Sequence, residues 1–304
     1  MDLPGLAQPG VRTRRLARGP QSAAIDAPLV VGQWRLTRLL HRGERLALYR
    51  AAPAGEKIGP GCYAIKTPLA DRRLDELALA LLAREALVAA QVAHPNVTAV
   101  LAASLGTSPA HLVLPYLDGL TLRQLLLAAR SRRLNPGQAL WIARQLAGGL
   151  AALHERGWLH GQVRPEHVIV GALGHATLID LSQTRRLGTP ECASELGPPI
   201  AGAYAAPEAF SSRGMLSAAS DVYSLGIVLF ELLTGRWPFA ASSPRQWAIC
   251  HARQLPPDVR GLNPTVSRDA GQLVRRMLSK EPLRRPAAAE LVDRLAGLEI
   301  EELL

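Results

Sequence analysis

The chain has 304 residues, 48% hydrophobic and 20% charged, enough for one large or two modest cores, so disorder throughout is excluded. No apolar run reaches the roughly 18 residues that cross a bilayer; the longest, Leu77 to Ala83 and Leu225 to Phe230, are bounded by Glu76, Arg84 and Glu231. The net charge of +10 raises the question of acidic partners, but the arginines are scattered and aromatic residues make up only 4%, without the basic and stacking alternation that argues for nucleic acid.

Residues 1 to about 28 are rich in Pro, Gly, Ala and Arg and lack periodicity, which predicts a flexible basic tail. Arg12, Arg14, Arg15 and Arg18 lead into no apolar segment, so no secretory signal is expected and the address reads as cytoplasmic. Cys62, Cys192 and Cys250 are odd in number and far apart, without a CxxC pair; this argues against a disulfide framework and against structural zinc. Of 35 basic side chains only Lys57, Lys66 and Lys280 are lysines. A lysine in this chain therefore calls for a specific reason.

From Leu29 onward the texture changes. Trp34 to Leu40, Leu46 to Ala51 and Cys62 to Thr67 carry β-type residues, separated by Gly43 and by the turn-rich stretch Pro53 to Gly61, and predict a small antiparallel sheet. A helix is predicted over Asp71 to Val92: Leu74, Leu77, Leu81, Val88 and Val92 recur at helical steps, and Pro95 bars continuation. Glu85 falls in phase with that stripe, where a carboxylate is costly unless paired or able to reach water. His111 to Leu117 reads as a short strand. Helices follow over Thr121 to Arg130, over Pro136 to Arg156 up to Gly157, over Asp221 to Thr234 with Ser220 as N-cap, and over Ala287 to Leu298. The helix containing Leu225 to Phe230 is apolar almost all round and should be buried at the centre of its unit. The last residues, 299–304, read as a frayed end.

A small β-rich unit with one helix, followed by a larger helical unit, suggests two lobes around a cleft. Seven motifs occur along it: Tyr63-Ala64-Ile65-Lys66, Glu85, His94-Pro95-Asn96-Val97, His160 to Val170, Ile179-Asp180, Ala206-Pro207-Glu208, and Ser220 to Gly226. In this order and spacing the chain resembles a bacterial serine/threonine protein kinase domain over roughly residues 33 to 298. The resemblance implies an α+β, two-lobed fold, with a kinase-like domain over 29–298 divided into an N-lobe to 116 and a C-lobe from 117. It also implies ATP and Mg²⁺ as cofactors. Lys66 would orient the nucleotide phosphates, held by Glu85, and Asp180 would hold a metal ion. Leu114 matches the gatekeeper. Pro115 and Leu117 match the hinge positions that meet adenine, and Leu48, Ala64 and Ile169 match the apolar walls around the purine. At Pro115 only the carbonyl is needed, and proline lacks only the N–H.

The pattern then departs from the family. The glycine-rich loop becomes Leu40-His41-Arg42-Gly43-Glu44-Arg45-Leu46-Ala47-Leu48, with Gly43 alone remaining, which should weaken contact with phosphates. The catalytic loop reads His160-Gly161-Gln162-Val163-Arg164-Pro165-Glu166-His167. Gln162 stands at the base position, where an amide cannot take a proton, and general-base catalysis typically contributes 10²–10⁴-fold. His167 stands where the family has a metal-ligating asparagine, and Arg164 replaces the loop lysine. Asp180-Leu181-Ser182 replaces Asp-Phe-Gly, with Ser182 expected to stiffen the segment. Ser182, Thr184, Thr189 and Ser194 read as solvated loop hydroxyls. By contrast the scaffold matches hold: Glu208 and Arg285 as a buried ion pair, and Asp221 as the carboxylate that braces the catalytic loop. The expectation is a pseudokinase that binds ATP weakly and acts as a signalling scaffold or allosteric regulator through a protein partner. The alternative is a divergent active kinase with a protein substrate, since phosphoryl transfer has a loose transition state that asks little of a base.

Overall fold

The computed structural model describes residues 30–55, 61–188, 202–210 and 215–302. The predicted tail, Lys57, Thr189, Cys192 and Ser194 lie outside the described residues. Six strands form one antiparallel sheet in the order β1-β2-β3-β4-β6-β5: β1 (Val30–Val31), β2 (Trp34–Arg42), β3 (Leu46–Pro53), β4 (Tyr63–Pro68), β5 (Ala102–Ser104) and β6 (His111–Pro115). The period-2 alternation of the strands gives the sheet two apolar faces. Val31, Trp34, Leu36, Ala51, Ile65 and Val113 cluster on one, and Ala64, Leu112 and Leu114 pack with Leu82 of the neighbouring helix on the other.

That helix, α1 (Glu76–Gln91), starts later than its apolar spacing suggests. Asp75 is the N-cap and accepts hydrogen bonds from the N–H groups of Leu77 and Ala78 at 3.0 and 3.2 Å, while residues 70–72 form a separate single turn. Leu74, before the cap, is 87% exposed. The buried stripe is Ala78, Leu81, Leu82, Glu85 and Val88, so the carboxylate predicted to sit in phase is inside rather than at a wet edge.

The larger lobe contains α2 (Leu122–Ala128), α3 (Pro136–Glu155), α4 (Ala218–Thr234), α5 (Pro244–Arg253), α6 (Val259–Leu262), α7 (Arg268–Met277) and α8 (Ala288–Glu301). Helix α4 is buried from Ser220 to Leu233 apart from Ser224. It begins one turn before the expected start, because the Ser217 N–H donates to Ser220 Oγ at 3.0 Å. Ser217 is the cap and Ser220 lies in the first turn. At Gly226 a Cβ would stand 2.9 Å from Met277 Cβ; its absence lets the end of α7 close on α4. The C-terminal residues do not fray at 299, since α8 continues to Glu301 and Glu299 takes Arg144 of α3 at 2.8 Å.

Five short strands floor the cleft: β7 (Gly119–Thr121), β8 (Trp158–Leu159), β9 (Val168–Gly171), β10 (Ala176–Leu178) and β11 (Arg185–Arg186). They pair as β10-β9-β7 and β11-β8. Buried Asn96 joins this floor to the segment after α1: its side-chain amide donates to the Ala176 carbonyl at 2.8 Å, and the Leu178 N–H donates to the Asn96 carbonyl at 2.8 Å. Among the described residues no helix is long and apolar enough to cross a membrane.

Candidate active site

Alternation along β4 places Ala64 and Lys66 on the face toward α1 and Ile65 on the other. The sheet register sets Leu48 opposite Lys66 and Leu114 opposite Ala64. Three of the residues matched to the purine walls and gatekeeper therefore share one apolar cluster, Leu48, Ala64 and Leu114. Lys66 Nζ donates to Glu85 Oε2 at 2.5 Å and to Asp180 Oδ1 at 2.7 Å. Glu85 is 1% exposed, so the ammonium is its compensation for burial. Burial alone would lower the Lys66 pKa, but the Asp180 and Glu85 carboxylates outweigh it and hold the ammonium charged well above its ordinary range. Burial lifts the Glu85 carboxyl, and Lys66 opposes that without cancelling it.

Asp180 follows β10 in a left-handed conformation, φ 64°. Its Oδ1 takes both Lys66 and the Ser182 hydroxyl, the latter at 2.6 Å. Burial would raise its pKa; Lys66 more than reverses that and keeps it a carboxylate far below the usual range. Its Oδ2 stands 3.8 Å from His167 Nε2. His167 Nδ1 lies 3.0 Å from the Gln162 carbonyl, and burial pushes the imidazole down to about 4. Hydrogen bonds to backbone carbonyls zip these segments together: the Ile179 N–H donates to the His167 carbonyl at 3.0 Å, and the His160 side chain donates through Nε2 to the Ile179 carbonyl at 3.2 Å.

A proline fits at the end of β6 for a structural reason. The Tyr116 N–H donates to the Cys62 carbonyl at 2.9 Å, so the adjacent pair Tyr63–Pro115 falls at a position of the antiparallel ladder without mutual hydrogen bonds. Pro115 thus loses no ladder bond, and its carbonyl turns away from β4. Leu117 is half-buried just beyond the end of β6, and Ile169 is half-buried on β9 between fully buried Val168 and Val170. The turn from β2 to β3 closes through the Gly43 N–H to the Leu46 carbonyl at 2.9 Å. Leu46 packs into the same cluster as Leu48 and Ala64, and Arg45 pairs with the α1 cap Asp75.

The braces below the catalytic loop are assembled. Asp221 accepts from the N–H groups of His160 and Gly161 at 2.9 Å each and from His154 Nε2 at 2.9 Å. Arg285, with no side-chain exposure, holds Glu208 through two bonds of 2.7 and 3.0 Å. Arg164 does not face the Lys66–Asp180 group: its Nε donates to Glu166 Oε2 at 3.0 Å. Glu166 is shared with Arg123 Nε at 2.9 Å. Burial would raise the Glu166 carboxyl, but Arg164 and Arg123 hold it down to about 2. Two of the four loop hydroxyls are not solvated. Ser182 and Thr184 are buried, with Thr184 Oγ1 donating to the Leu181 carbonyl at 2.8 Å, because the short turn after Asp180 folds them under α1.

One network escaped the sequence. Arg123 of α2 pairs with Glu231 of α4 at 2.6 Å as well as with Glu166, and both Arg123 and Glu231 bond the Tyr204 hydroxyl. The available signal was Glu231 itself, a carboxylate next to the most apolar stretch of α4. Beside this network Gln162, Arg164, Glu166, Tyr204, Trp237 and Trp247 line a cavity of about 480 Å³.

A curled antiparallel lobe carrying a lysine, a helix glutamate that receives it, and a helical lobe presenting an aspartate to the same lysine define a protein kinase domain. The family model described as protein kinase domain matches residues 56–295, and the chain belongs to that family. It is similar to bacterial serine/threonine kinases. Identity is 33% over 285 residues with the serine/threonine-protein kinase pkn2 of Myxococcus xanthus, covering 90% of this chain and 33% of that protein. It is 33% over 238 residues with the serine/threonine-protein kinase PknB of Mycobacterium leprae, covering 75% and 37%, and 28% over 207 residues with the serine/threonine-protein kinase PrkC of Bacillus subtilis, covering 68% and 32%. The chain spans about a third of the length of these curated relatives.

Proposed function

We propose that this chain is a pseudokinase of the cytoplasm, which binds ATP weakly and regulates a protein partner through the arrangement of its two lobes. The kinase unit is taken to run over 29–298. The observation that carries the reading is an asymmetry within one site. Lys66, Glu85 and Asp180 are joined at 2.5 and 2.7 Å, whereas a glutamine amide and an imidazole hold the positions of the base and of a metal-ligating amide oxygen. The carboxylate Oδ2 of Asp180, which no hydrogen bond among the described residues engages, suits one hard divalent ion, and Lys66 suits phosphate oxygens. His167 does not suit Mg²⁺, whose preferred ligands are oxygens. When bound, such an ion would neutralise phosphate charge. Lys66 would orient the nucleotide, Glu85 and Ser182 would fix Lys66 and Asp180, and Leu48, Ala64 and Leu114 would exclude water from the ring.

The second reading, an active kinase transferring the ATP γ-phosphate to a protein hydroxyl, is favoured by the cavity beside Gln162, which leaves room for a substrate segment. The test is a thermal shift with millimolar ATP, with and without Mg²⁺, on the wild type, Lys66→Met and Asp180→Ala. A metal-dependent rise in Tm lost in both variants is the expected result. No shift in the wild type would overturn nucleotide binding, and robust phosphorylation of a protein or peptide by the wild type would replace the pseudokinase reading with the second.

A further inference from the structure

Three of the arginines scattered along the sequence meet at one place in the larger lobe. Helices α6 and α7 close with α4 around a cavity of about 240 Å³, which shares no lining residue with the cavity beside Gln162. From α7 it is lined by Arg268, Gly271, Gln272 and Arg275 on its polar side, at steps of three, four and seven that put them on one face of the helix. Arg260 of α6 lies against that stripe, its Cγ 3.4 Å from where a Cβ at Gly271 would stand. The floor is apolar, formed by buried Phe230, Val259, Val274 and Leu278.

All three arginines are exposed, and among the described residues no ion pair or side-chain hydrogen bond engages their guanidinium groups. Arg276, the next residue of α7, does not line the cavity and reaches Glu290 at 3.8 Å. The arginines that face the cavity are thus the ones left without a carboxylate. Asp258 is the one acidic side chain in the lining, and its Oδ1 already caps α6 by accepting the Arg260 N–H at 3.1 Å. Three guanidinium groups against one carboxylate leave two positive charges uncompensated, and like charges around one cavity repel until an anion joins them.

The geometry also says which anion. Guanidinium forks pair bidentately with carboxylate or phosphate, but a carboxylate has oxygens for one fork only. Arg268 and Arg275 are separated by two helical turns, about 10 Å along the axis, so a single ligand that serves both needs negative charge at more than one centre. A diphosphate has that. We propose that this cavity binds a diphosphate-bearing small molecule through Arg260, Arg268 and Arg275, at a site separate from the cleft that holds Lys66. The apolar floor would receive a flat group attached to the diphosphate. The inference does not depend on whether the cleft binds ATP.

The experiment is calorimetric titration of inorganic pyrophosphate, without divalent metal, into the full chain carrying Lys66→Met, so that the ammonium of the cleft does not contribute. Expected is binding at millimolar concentration or tighter. Arg260→Gln and Arg275→Gln should each weaken it about tenfold, the loss of one charge-assisted contact, and the two together should abolish it. Arg284→Gln, which removes an exposed charge paired with Glu281 instead, should leave it unchanged. Because the substituted side chains are exposed, their melting curves should match that of the parent. Titration with ADP supports the proposal in either direction: tighter binding than pyrophosphate assigns the floor to the base, and equal binding assigns the site to the diphosphate alone. The proposal is overturned if pyrophosphate does not bind at millimolar concentration, if Arg260→Gln and Arg275→Gln bind it as well as the parent, if Arg284→Gln weakens it as much as they do, or if sulfate at equal ionic strength competes as well as pyrophosphate. Binding of polyglutamate without binding of pyrophosphate would also overturn it and assign the arginines to an acidic protein surface.

Discussion

Below the loop at 160–167, Asp221 grips the His160 and Gly161 amides and Arg285 grips Glu208; above it, Gln162 and His167 stand where the family has a carboxylate and an amide. The lower side consists of largely buried charges, each satisfied by three bonds or more, and removing one partner would strand the other in a low-dielectric interior. On the upper side Gln162 is only half-buried and His167 keeps 17% of its side chain exposed. Substitution there spares the fold. Scaffold and site chemistry thus rest on different bonds in this protein, a separation that the proposed pseudokinase reading requires.

The widest expected effect comes from rebuilding the upper side. Gln162→Asp combined with His167→Asn should raise phosphoryl transfer from Mg²⁺·ATP to a peptide mixture by about 10²–10⁴-fold, the usual contribution of a general base, with the single Gln162→Asp gaining less. A gain under tenfold in the double variant would move the main defect to the glycine-poor turn at 41–46. Breaking the lower side is the converse. Arg285→Ala leaves the largely buried Glu208, 11% exposed on its side chain, without its cation, and urea unfolding should show a loss of about 3 kcal/mol, the low end for a broken buried pair; a loss below about 1 kcal/mol would contradict the separation of roles.

A milder way to probe the lower side is acid. His251 is fully buried among Phe210, Tyr223, Phe239 and Trp247; it accepts from the Tyr223 hydroxyl at 3.0 Å and donates to the Gly202 carbonyl at 3.1 Å. Burial first, then nearby Lys280, pushes its pKa down from 6.5 to about 4. The unfolded chain therefore takes a proton that the folded chain refuses. The contribution is complete above pH 6.5 and is lost as pH falls toward 4, up to roughly 3 kcal/mol. Tm measured from pH 7 to 4 should fall less steeply in His251→Gln than in the wild type; parallel curves would remove His251 from the account.

What the sequence made legible follows from how each feature is encoded. Lys66 stood out because the chain otherwise uses arginine, and Glu85 because it interrupts an apolar stripe; their contact was then a matter of fold. The start of α1 was misplaced because Leu74 extends the apolar spacing past the true cap, and only the two N–H groups received by Asp75 reveal where the helix begins. Strands of two to four residues, such as β8 and β11, are too short to carry an alternation. The Arg123 end of the network, unlike Glu231, was invisible for a different reason. Its carboxylates lie 43 and 108 residues away, and nothing local distinguishes Arg123 from the other arginines.

Ser182 offers the smallest and most local test. The family's glycine at this place leaves the aspartate without a side-chain neighbour, whereas here a hydroxyl buried to 4% exposure donates to the oxygen that Lys66 also holds. A hydrogen bond to a charged acceptor contributes about 1.5–3 kcal/mol when buried, and Asp180 is 31% exposed on its side chain, so about 1 kcal/mol is the reasonable expectation. Ser182→Ala should lower stability by that amount. It should also free Asp180 to rotate, so that the metal-dependent part of the ATP thermal shift shrinks while the metal-independent part, which rests on Lys66 and the apolar walls, does not. Equal shrinkage of both parts would mean that Ser182 supports the whole cleft. A Ser182→Ala protein with unchanged stability and unchanged metal dependence would show that Lys66 alone fixes Asp180, and the separation between scaffold and chemistry would then reach as far as Ser182.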